Sequence, residues 1–396
     1  MERTVGVIAR GIRTPIIKAG DDLANIIVTS ILKSMEKENY SLRDRDVLGV
    51  TESLLARAQG NYVTIDQITM AINEKFDKDL VVLFPILSRN RFYSILRGIA
   101  LTNKKIYLFL NYPSDEMGNN LMDKDDMDEI GINQYTDTIS ESEYRRLFGE
   151  KFLHPFTGID YVELYKNSAA NGNIEIYLSN DVKASLRYSK DILVANVHER
   201  HRTKQILKKS GAEKVFGLDD IMNEPNKNHG YNPEYGLLGS NKATESEIKL
   251  FPRDCDEFVN IIQKLIKEKT GKLIEVMIYG DGAFKDPRGK IWELADPVIS
   301  PGYTNGLKGM PDEVKLKYIA DNKLKNLDND AAIDEAMRII KEKRHEAGEE
   351  EKSIGTTPRQ LTDLLGSLCD LVSGSGDKGT PIVLIQGYFD SFAAGK

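Results

Sequence analysis

Residues 192–218 read ILVANVHERHRTKQILKKSGAEKVFGL, and this stretch decides the class of fold. The run 192–197 is apolar and partly β-branched, as a buried strand requires. Glu199 to Lys209 then supplies a polar, helix-favouring segment, and Gly211 stands at a short turn before a second apolar run, 214–218. Strand, helix and strand in that order make a βαβ-like unit, which places α/β structure in the middle of the chain.

Working outward from it, residues 80–86 (LVVLFPI) read as a strand, Asn90 to Ala100 as a helix and 105–110 as another strand. Further upstream, 4–9 (TVGVIA) and 46–51 (DVLGVT) read as strands. Between them Asp21 and Asp22 cap a helix whose Leu23, Ile26, Ile27, Ile31 and Leu32 share one face. Thr64 to Lys75 and Glu141 to Phe148 also read as helices. Downstream, residues 256–269 form an amphipathic helix with Phe258, Ile261, Ile262, Leu265 and Ile266 on one side, followed by a strand at 273–279. Residues 312–352 are charged and helical, a solvated surface extension. Leu361 to Leu371 reads as a helix, Ser373 to Thr380 as a Gly-rich turn and 381–386 as a closing strand. The stretch from Pro113 to about Asn223 differs in character from both flanks and is read as an inserted or separate α/β subdomain.

Composition narrows the partners. A chain of 396 residues is long enough for two or three domains. A formal net charge of −7 disfavours a nucleic-acid binder, which is usually basic. Cys255 and Cys369 are the two cysteines, so no disulfide framework exists and a reducing cytoplasm is the expected setting. The apolar runs, such as Leu80 to Leu87, are too short to span a bilayer, so no membrane partner is expected.

Five segments have residue types that carry chemistry. Ser373-Gly374-Ser375-Gly376-Asp377-Lys378-Gly379-Thr380 has glycines that bring backbone N–H groups close to a phosphate, or is a plain surface turn. Asp281, in a Gly-flanked turn directly after a strand, suits a hard cation; Asp286 follows it, and both residues equally suit turn closure by Asx bonds. His229 can serve as a base or as a structural histidine, and Asn241 can bind a ligand or cap a helix. Arg89 and Arg91 follow a buried strand at a helix start, where anions and guanidinium groups meet, or face solvent. Asp115 and Glu116 follow another strand, as metal ligands or as a helix start.

In order along the chain, these segments resemble the coenzyme F-420 γ-glutamyl ligase family. Thr14, Pro15, Ile16 and Ile17, within GIRTPII at 11–17, are similar to that family's nucleotide-contacting opening loop. Residues 46–60 are similar to its strand followed by a lysine-bearing segment; Ser53 stands at the first lysine position and Arg57 at the second. His229-Gly230-Tyr231 and Gly236 to Asn241 resemble its H-G-x and G-I-D-x-S-N elements, with Ser240 and Asn241 matching and Leu238 at the aspartate position. Asp281 matches the aspartate of its metal turn, with Gly282 where that turn has a hydroxyl. Leu250 to Asp254, Thr362 to Leu371 and the Ser373–Pro381 loop complete the resemblance.

The resemblance implies an α+β fold: a two-lobed, mixed sheet-and-helix ligase-like core at 1–105 and 225–396. An α/β subdomain would be inserted at 106–224 and a helical surface insertion at 305–355. It implies a homodimer and an amide-bond ligase. GTP or ATP would activate a carboxylate, with Mg2+ or Mn2+, for attack by the amine of L-glutamate. Asp281 and Arg57 are then the expected catalytic residues, with Asp281, Asp286, Asp115 and Glu116 as metal candidates. Thr14–Ile17, Glu52, Ser53, Arg57, Asn241 and Ser373–Thr380 would contact the nucleotide. Arg89, Arg91 and His229 would contact a small acidic substrate. The alternative is a non-catalytic nucleotide- or metabolite-binding protein on the same fold.

Overall fold

A computed structural model describes residues 4–155, 157–280, 283–286, 291–294, 299–311, 315–346, 359–373 and 377–391. In chain order the elements begin with β1 (Ile8–Ile12), α1 (Leu23–Glu38), β2 (Val47–Thr51), α2 (Glu52–Ala58), β3 (Tyr62–Thr64), α3 (Ile65–Lys75), β4 (Leu80–Leu83), α4 (Phe92–Ala100) and β5 (Ile106–Leu110). They continue with α5 (Lys124–Ile130), β6 (Ile139–Ser140), α6 (Glu141–Phe148), α7 (Tyr161–Lys166), β7 (Ile174–Leu178), β8 (Asp191–Val194), α8 (Arg200–Lys209), β9 (Lys214–Gly217), β10 (Asn241–Lys242) and β11 (Glu247–Lys249). Last come α9 (Cys255–Thr270), β12 (Glu275–Gly280), β13 (Ala283–Asp286), β14 (Ile291–Leu294), β15 (Ile299–Tyr303), α10 (Leu316–Ile319), α11 (Asn329–Glu346), α12 (Leu361–Ser373) and β16 (Ile382–Gln386). The architecture is α+β, as expected from the sequence, with mixed sheets and many helices.

The described residues fall into two compact units. The first lies within 1–58, 254–285 and 292–396 and is built on a five-stranded sheet of order β1-β16-β2-β12-β15. In it β2 and β12 run parallel, and the other neighbours run antiparallel. Strand β12 is buried along its whole length because both faces of the sheet are covered. Val276 and Ile278 point to the side where α1 and α9 lie, and Met277 and Tyr279 to the side of α12. Helix α1 starts at Asp22, whose side chain accepts from the Asn25 N–H, and it buries Leu23, Ile27 and Ile31 at four-residue spacing.

The first strand forms at Ile8–Ile12 rather than at 4–9. Its partner sets its limits: β16 pairs Gln386 with Ile8 and Ile382 with Ile12, and among the described residues the ladder does not extend ahead of Ile8. Strand β4 likewise stops at Leu83, short of the expected Ile86. Phe84 takes a left-handed conformation, φ 57°, and Pro85 follows, so the extended backbone ends there.

The second unit lies within 59–253 and 286–291. Its six-stranded sheet has the order β6-β7-β5-β4-β8-β9, parallel throughout except for β6 at one edge. The strand pair β8–β9 and its helix α8 are the βαβ unit read at 192–218. Leu80, Val82, Leu108 and Leu193 on one face pack with Ile95, Leu96 and Ile99 of α4. Val81, Leu83, Ile192 and Val194 on the other pack with Leu207 of α8. The expected boundary at 105/106 falls between β4 and β5, which are hydrogen-bonded neighbours from Leu80↔Ile106 to Leu83↔Phe109. One parallel sheet cannot be divided there, so this unit begins earlier, at Gln59. A small sheet, β10-β11-β3, also belongs to it. Among the described residues no helix is long and apolar enough to cross a membrane.

Candidate functional site

In the first unit the parallel register of β2 and β12 brings Thr51 beside Tyr279, so Glu52 and Gly280 follow at the same sheet edge. Antiparallel β16 begins at that edge: Ile382 pairs with Val50, and the Thr51 N–H donates to the Pro381 carbonyl at 3.1 Å. Strand β1 ends there, with Ile12 beside Ile382. Four segments far apart in sequence therefore meet: 13–17, 52–53, 280 and 377–381.

The contacts at this edge are close. The Arg13 guanidinium donates to the Lys378 carbonyl at 3.3 Å, and the Thr380 hydroxyl donates to the Ser373 carbonyl at 2.8 Å, tying the ends of the Gly-rich loop. A Cβ on Gly11 would lie 2.9 Å from the Thr380 Cβ, so the Thr380 side chain packs directly on the backbone of β1. Glu52 is buried, and its Cγ lies 2.8 Å from where a Cβ on Gly280 would be. Only glycine allows this carboxylate to lie across the end of β12. Ile17 is buried, whereas Ile16 is 84% exposed. Arg57 is exposed, one turn along α2 from Ser53.

A groove of about 1150 Å³ adjoins the same edge, running between β1 and α1. Thr14, Pro15 and Thr380 line it, together with Arg10, Arg13, Lys33 and Lys37. Lys33 and Lys37 are four residues apart on one helix face, a signal present in the sequence but unread there.

The second unit holds the other motif segments. Asn61, fully buried, joins them: its amide donates to the carbonyls of Phe251 at 2.6 Å and Tyr231 at 3.0 Å. Its oxygen accepts from the Tyr231 N–H and the Arg253 guanidinium. Arg253 also lies over the Tyr231 ring at 4.6 Å. The His229 Nδ1 sits 2.7 Å from the Gly230 carbonyl oxygen. A side chain at Gly236 or Gly239, both at positive φ, would overlap neighbouring atoms. Asn241 starts β10 opposite Lys249 and is half-buried, and the Arg91 guanidinium donates to the Gly239 carbonyl at 3.1 Å. Leu238 is buried in the apolar core. Asn61 and Asn232 were not singled out from the sequence, because neither spacing nor composition marks a lone buried amide; Arg253 stood within the Leu250–Asp254 element with no role of its own.

Asp115 and Glu116 do other work than metal binding. The Asp115 carboxylate accepts from the N–H groups of Leu87 at 2.6 Å, Met117 at 2.9 Å and Asn119 at 2.8 Å, and from the Asn119 amide at 2.9 Å. Burial pushes its carboxyl upward, and these bonds oppose the push. Its lone pairs are spent within the protein. Glu116 accepts from the N–H groups of Val197 and His198. Arg89 is exposed nearby in sequence. Among the described residues no group of three or more His, Cys, Asp or Glu could hold a metal ion. Asp281, Gly374, Ser375 and Gly376 lie outside the described residues, and of Asp286 only its backbone, at the end of β13, is described.

A search with known family descriptions matches residues 11–387 to the F420-0:gamma-glutamyl ligase family. No curated protein matches the chain.

Proposed function

Because the chain belongs to the F420-0:gamma-glutamyl ligase family, we propose that it forms an amide bond between L-glutamate and a carboxylate acceptor, at the expense of GTP or ATP. One observation carries this reading. The segments that resemble nucleotide contacts, 14–17, 52–53 and 377–380, meet at one sheet edge although the third lies more than three hundred residues beyond the first two in the chain.

Each part has a physical task. The Gly-rich loop contacts Gly11 and Arg13, directly ahead of Thr14–Ile17, so the two segments can hold one nucleotide between them. Arg57, exposed on α2, supplies positive charge for the phosphates. Glu52 at the end of β2 and Asp281 after β12 are oxygen donors of the kind Mg2+ or Mn2+ takes, and a buried carboxylate packed against a glycine fits that use. Such an ion supplies neutralisation of phosphate charge. The basic groove beside β1 suits an acidic substrate. Asn241, assigned to the nucleotide, and Arg91 and His229, assigned to the substrate, belong to the second unit.

The test is direct. The protein is incubated with F420-0 as acceptor, L-glutamate, GTP or ATP, and either metal ion. Mass spectrometry should show one glutamyl residue added, with nucleoside diphosphate formed only when acceptor and nucleotide are both present. Absence of product with both nucleotides, together with no nucleotide binding by calorimetry, sinks the reading. A second reading, a binding protein without ligase chemistry, is favoured by Leu238: the residue at the family's aspartate position is buried among apolar side chains and cannot ligate. Nucleotide binding without turnover would select it.

A further inference from the structure

The six-stranded sheet of the second unit reverses its winding between two neighbouring parallel strands. From β4 the chain crosses through α4 to β5 on one side, and from β8 it crosses through α8 to β9 on the other. Helix α4 packs on the face of Leu80 and Val82, and α8 on the face of Val81 and Leu83. The loops that follow β4 and β8 therefore part to opposite faces at the carboxyl ends of the strands, the topology that makes a crevice in open parallel sheets. Parallel sheets bind ligands at such switch points.

Two observations at this switch point bear on a ligand. Asn196, just past β8, is 5% exposed; its amide nitrogen donates to the Thr203 hydroxyl at 3.2 Å, but its buried Oδ1 has no hydrogen-bond partner among the described residues. It continues the Ile192–Val194 face and so sits beneath the first turn of α8, whose start has no side-chain cap. A buried acceptor left unmatched costs about 1–3 kcal/mol, so it is expected to meet a donor in use. The second is Glu116, whose carboxylate reaches across from the β5 loop to the consecutive N–H groups of Val197 and His198. Consecutive N–H groups ahead of a helix are an anion cradle, and here a side chain fills it. His198, His201 and Arg202 are exposed around it.

We propose that this crevice is a second ligand site, for a small anion that also carries an O–H or N–H donor. The ligand's phosphate or carboxylate takes the place of Glu116 on the Val197 and His198 N–H groups, and its donor reaches the Asn196 Oδ1. This site rests on the second unit alone and does not depend on the ligase reading.

The full-length protein is titrated with sulfate, ribose 5-phosphate and L-glutamate while its histidine imidazole resonances are followed by NMR, with His198→Gln and His201→Gln as assignments. Sulfate is an anion without a donor; the other two supply phosphate with hydroxyls, or carboxylate with ammonium. Ribose 5-phosphate or glutamate should move both His198 and His201, and whichever does so identifies the anion. Sulfate should bind about tenfold or more weakly, the effect of one unmade hydrogen bond to a buried acceptor. Asn196→Leu should abolish that preference. Glu116→Gln should tighten binding several-fold, because a neutral side chain yields the cradle more readily; a merely structural Glu116 gives the opposite. The proposal fails if neither donor-bearing probe moves both imidazoles at millimolar concentration. It also fails if sulfate binds as well as they do, or if Glu116→Gln weakens binding.

Discussion

Replacing Asn61 with alanine should destabilise the second unit by an amount that its contacts allow to be worked out. The carboxamide is fully buried and bonds to Phe251, Tyr231 and Arg253. Truncation does not strand every partner. The Phe251 carbonyl keeps the Asn232 amide at 3.2 Å, and the Tyr231 carbonyl keeps Arg253 at 3.3 Å. The Tyr231 N–H loses its acceptor outright, which costs about 1–3 kcal/mol, and each weakened bond adds about 1 kcal/mol. The sum, about 3–5 kcal/mol, corresponds to a melting temperature lower by roughly 10 °C for a domain of this size. Scanning calorimetry should show the transition of this unit moving by that amount. Asn61→Asp adds a pH signature. The aspartate keeps the acceptor for Tyr231 but sets a carboxylate against two carbonyls, so it should be partly rescued in acid, where the carboxyl O–H can donate again. A melting temperature for Asn61→Ala within about 2 °C of wild type would refute the idea that this amide organises the motif segments.

Other consequences can be checked alongside. Leu238→Asp, which restores the family's acidic residue, should place an unpaired carboxylate in an apolar core, lower stability by about 3–5 kcal/mol and give no manganese-dependent stabilisation in a thermal melt. Gly280→Ala should drive a methyl group into the Glu52 side chain, cost about 1–3 kcal/mol of packing and, on the ligase reading, raise the metal concentration needed for half-maximal turnover. Asp160 is buried, which works to raise its carboxyl, yet the Arg145 guanidinium and the N–H groups of Glu163 and Phe152 outweigh burial and hold it below the ordinary value. A depressed carboxyl stabilises the fold above the unfolded-state value, about 3.9, and that stability is lost as pH falls through the folded value. Asp160→Asn should therefore be less stable than wild type at neutral pH by urea titration, with the gap closing in acid.

What was legible in the sequence was local. The Asp22 cap, the four-residue spacing of Leu23, Ile27 and Ile31, and the strand–helix–strand run at 192–218 each carry their own period, and each formed, although β8 ends at Val194 rather than at 197. Limits set by a distant partner were not legible. Strand β1 stops where β16 stops pairing with it, and nothing in 4–12 announces that. The extent of the second unit was hidden for the same reason, since β4 and β5 look like any two strands until their register joins them. Strand β7, residues 174–178, does alternate isoleucine with polar residues, so its period was available and went unread. At the site, Asp115 and Glu116 share the residue type of metal ligands, and only their N–H partners distinguish a carboxylate that is already satisfied. Asn241, Ser53 and Arg57 could be placed by order along the chain, whereas the buried Asn61 and Asn196 have value only through what surrounds them.

The bond between Gln59 and Arg253 has a consequence for the history of the chain. The Gln59 amide donates to the Arg253 carbonyl at 2.7 Å, and the Arg253 N–H donates back to the Gln59 oxygen at 2.8 Å. The two ends of the 59–253 segment thus stand side by side and are bonded to each other. Closing a long loop in a host fold carries an entropic penalty that grows with its length, but a module whose own folding joins its ends presents the host with a gap only a few ångströms wide. Such a segment can be acquired, lengthened or exchanged as a cassette with little disturbance to the strands on either side of the splice.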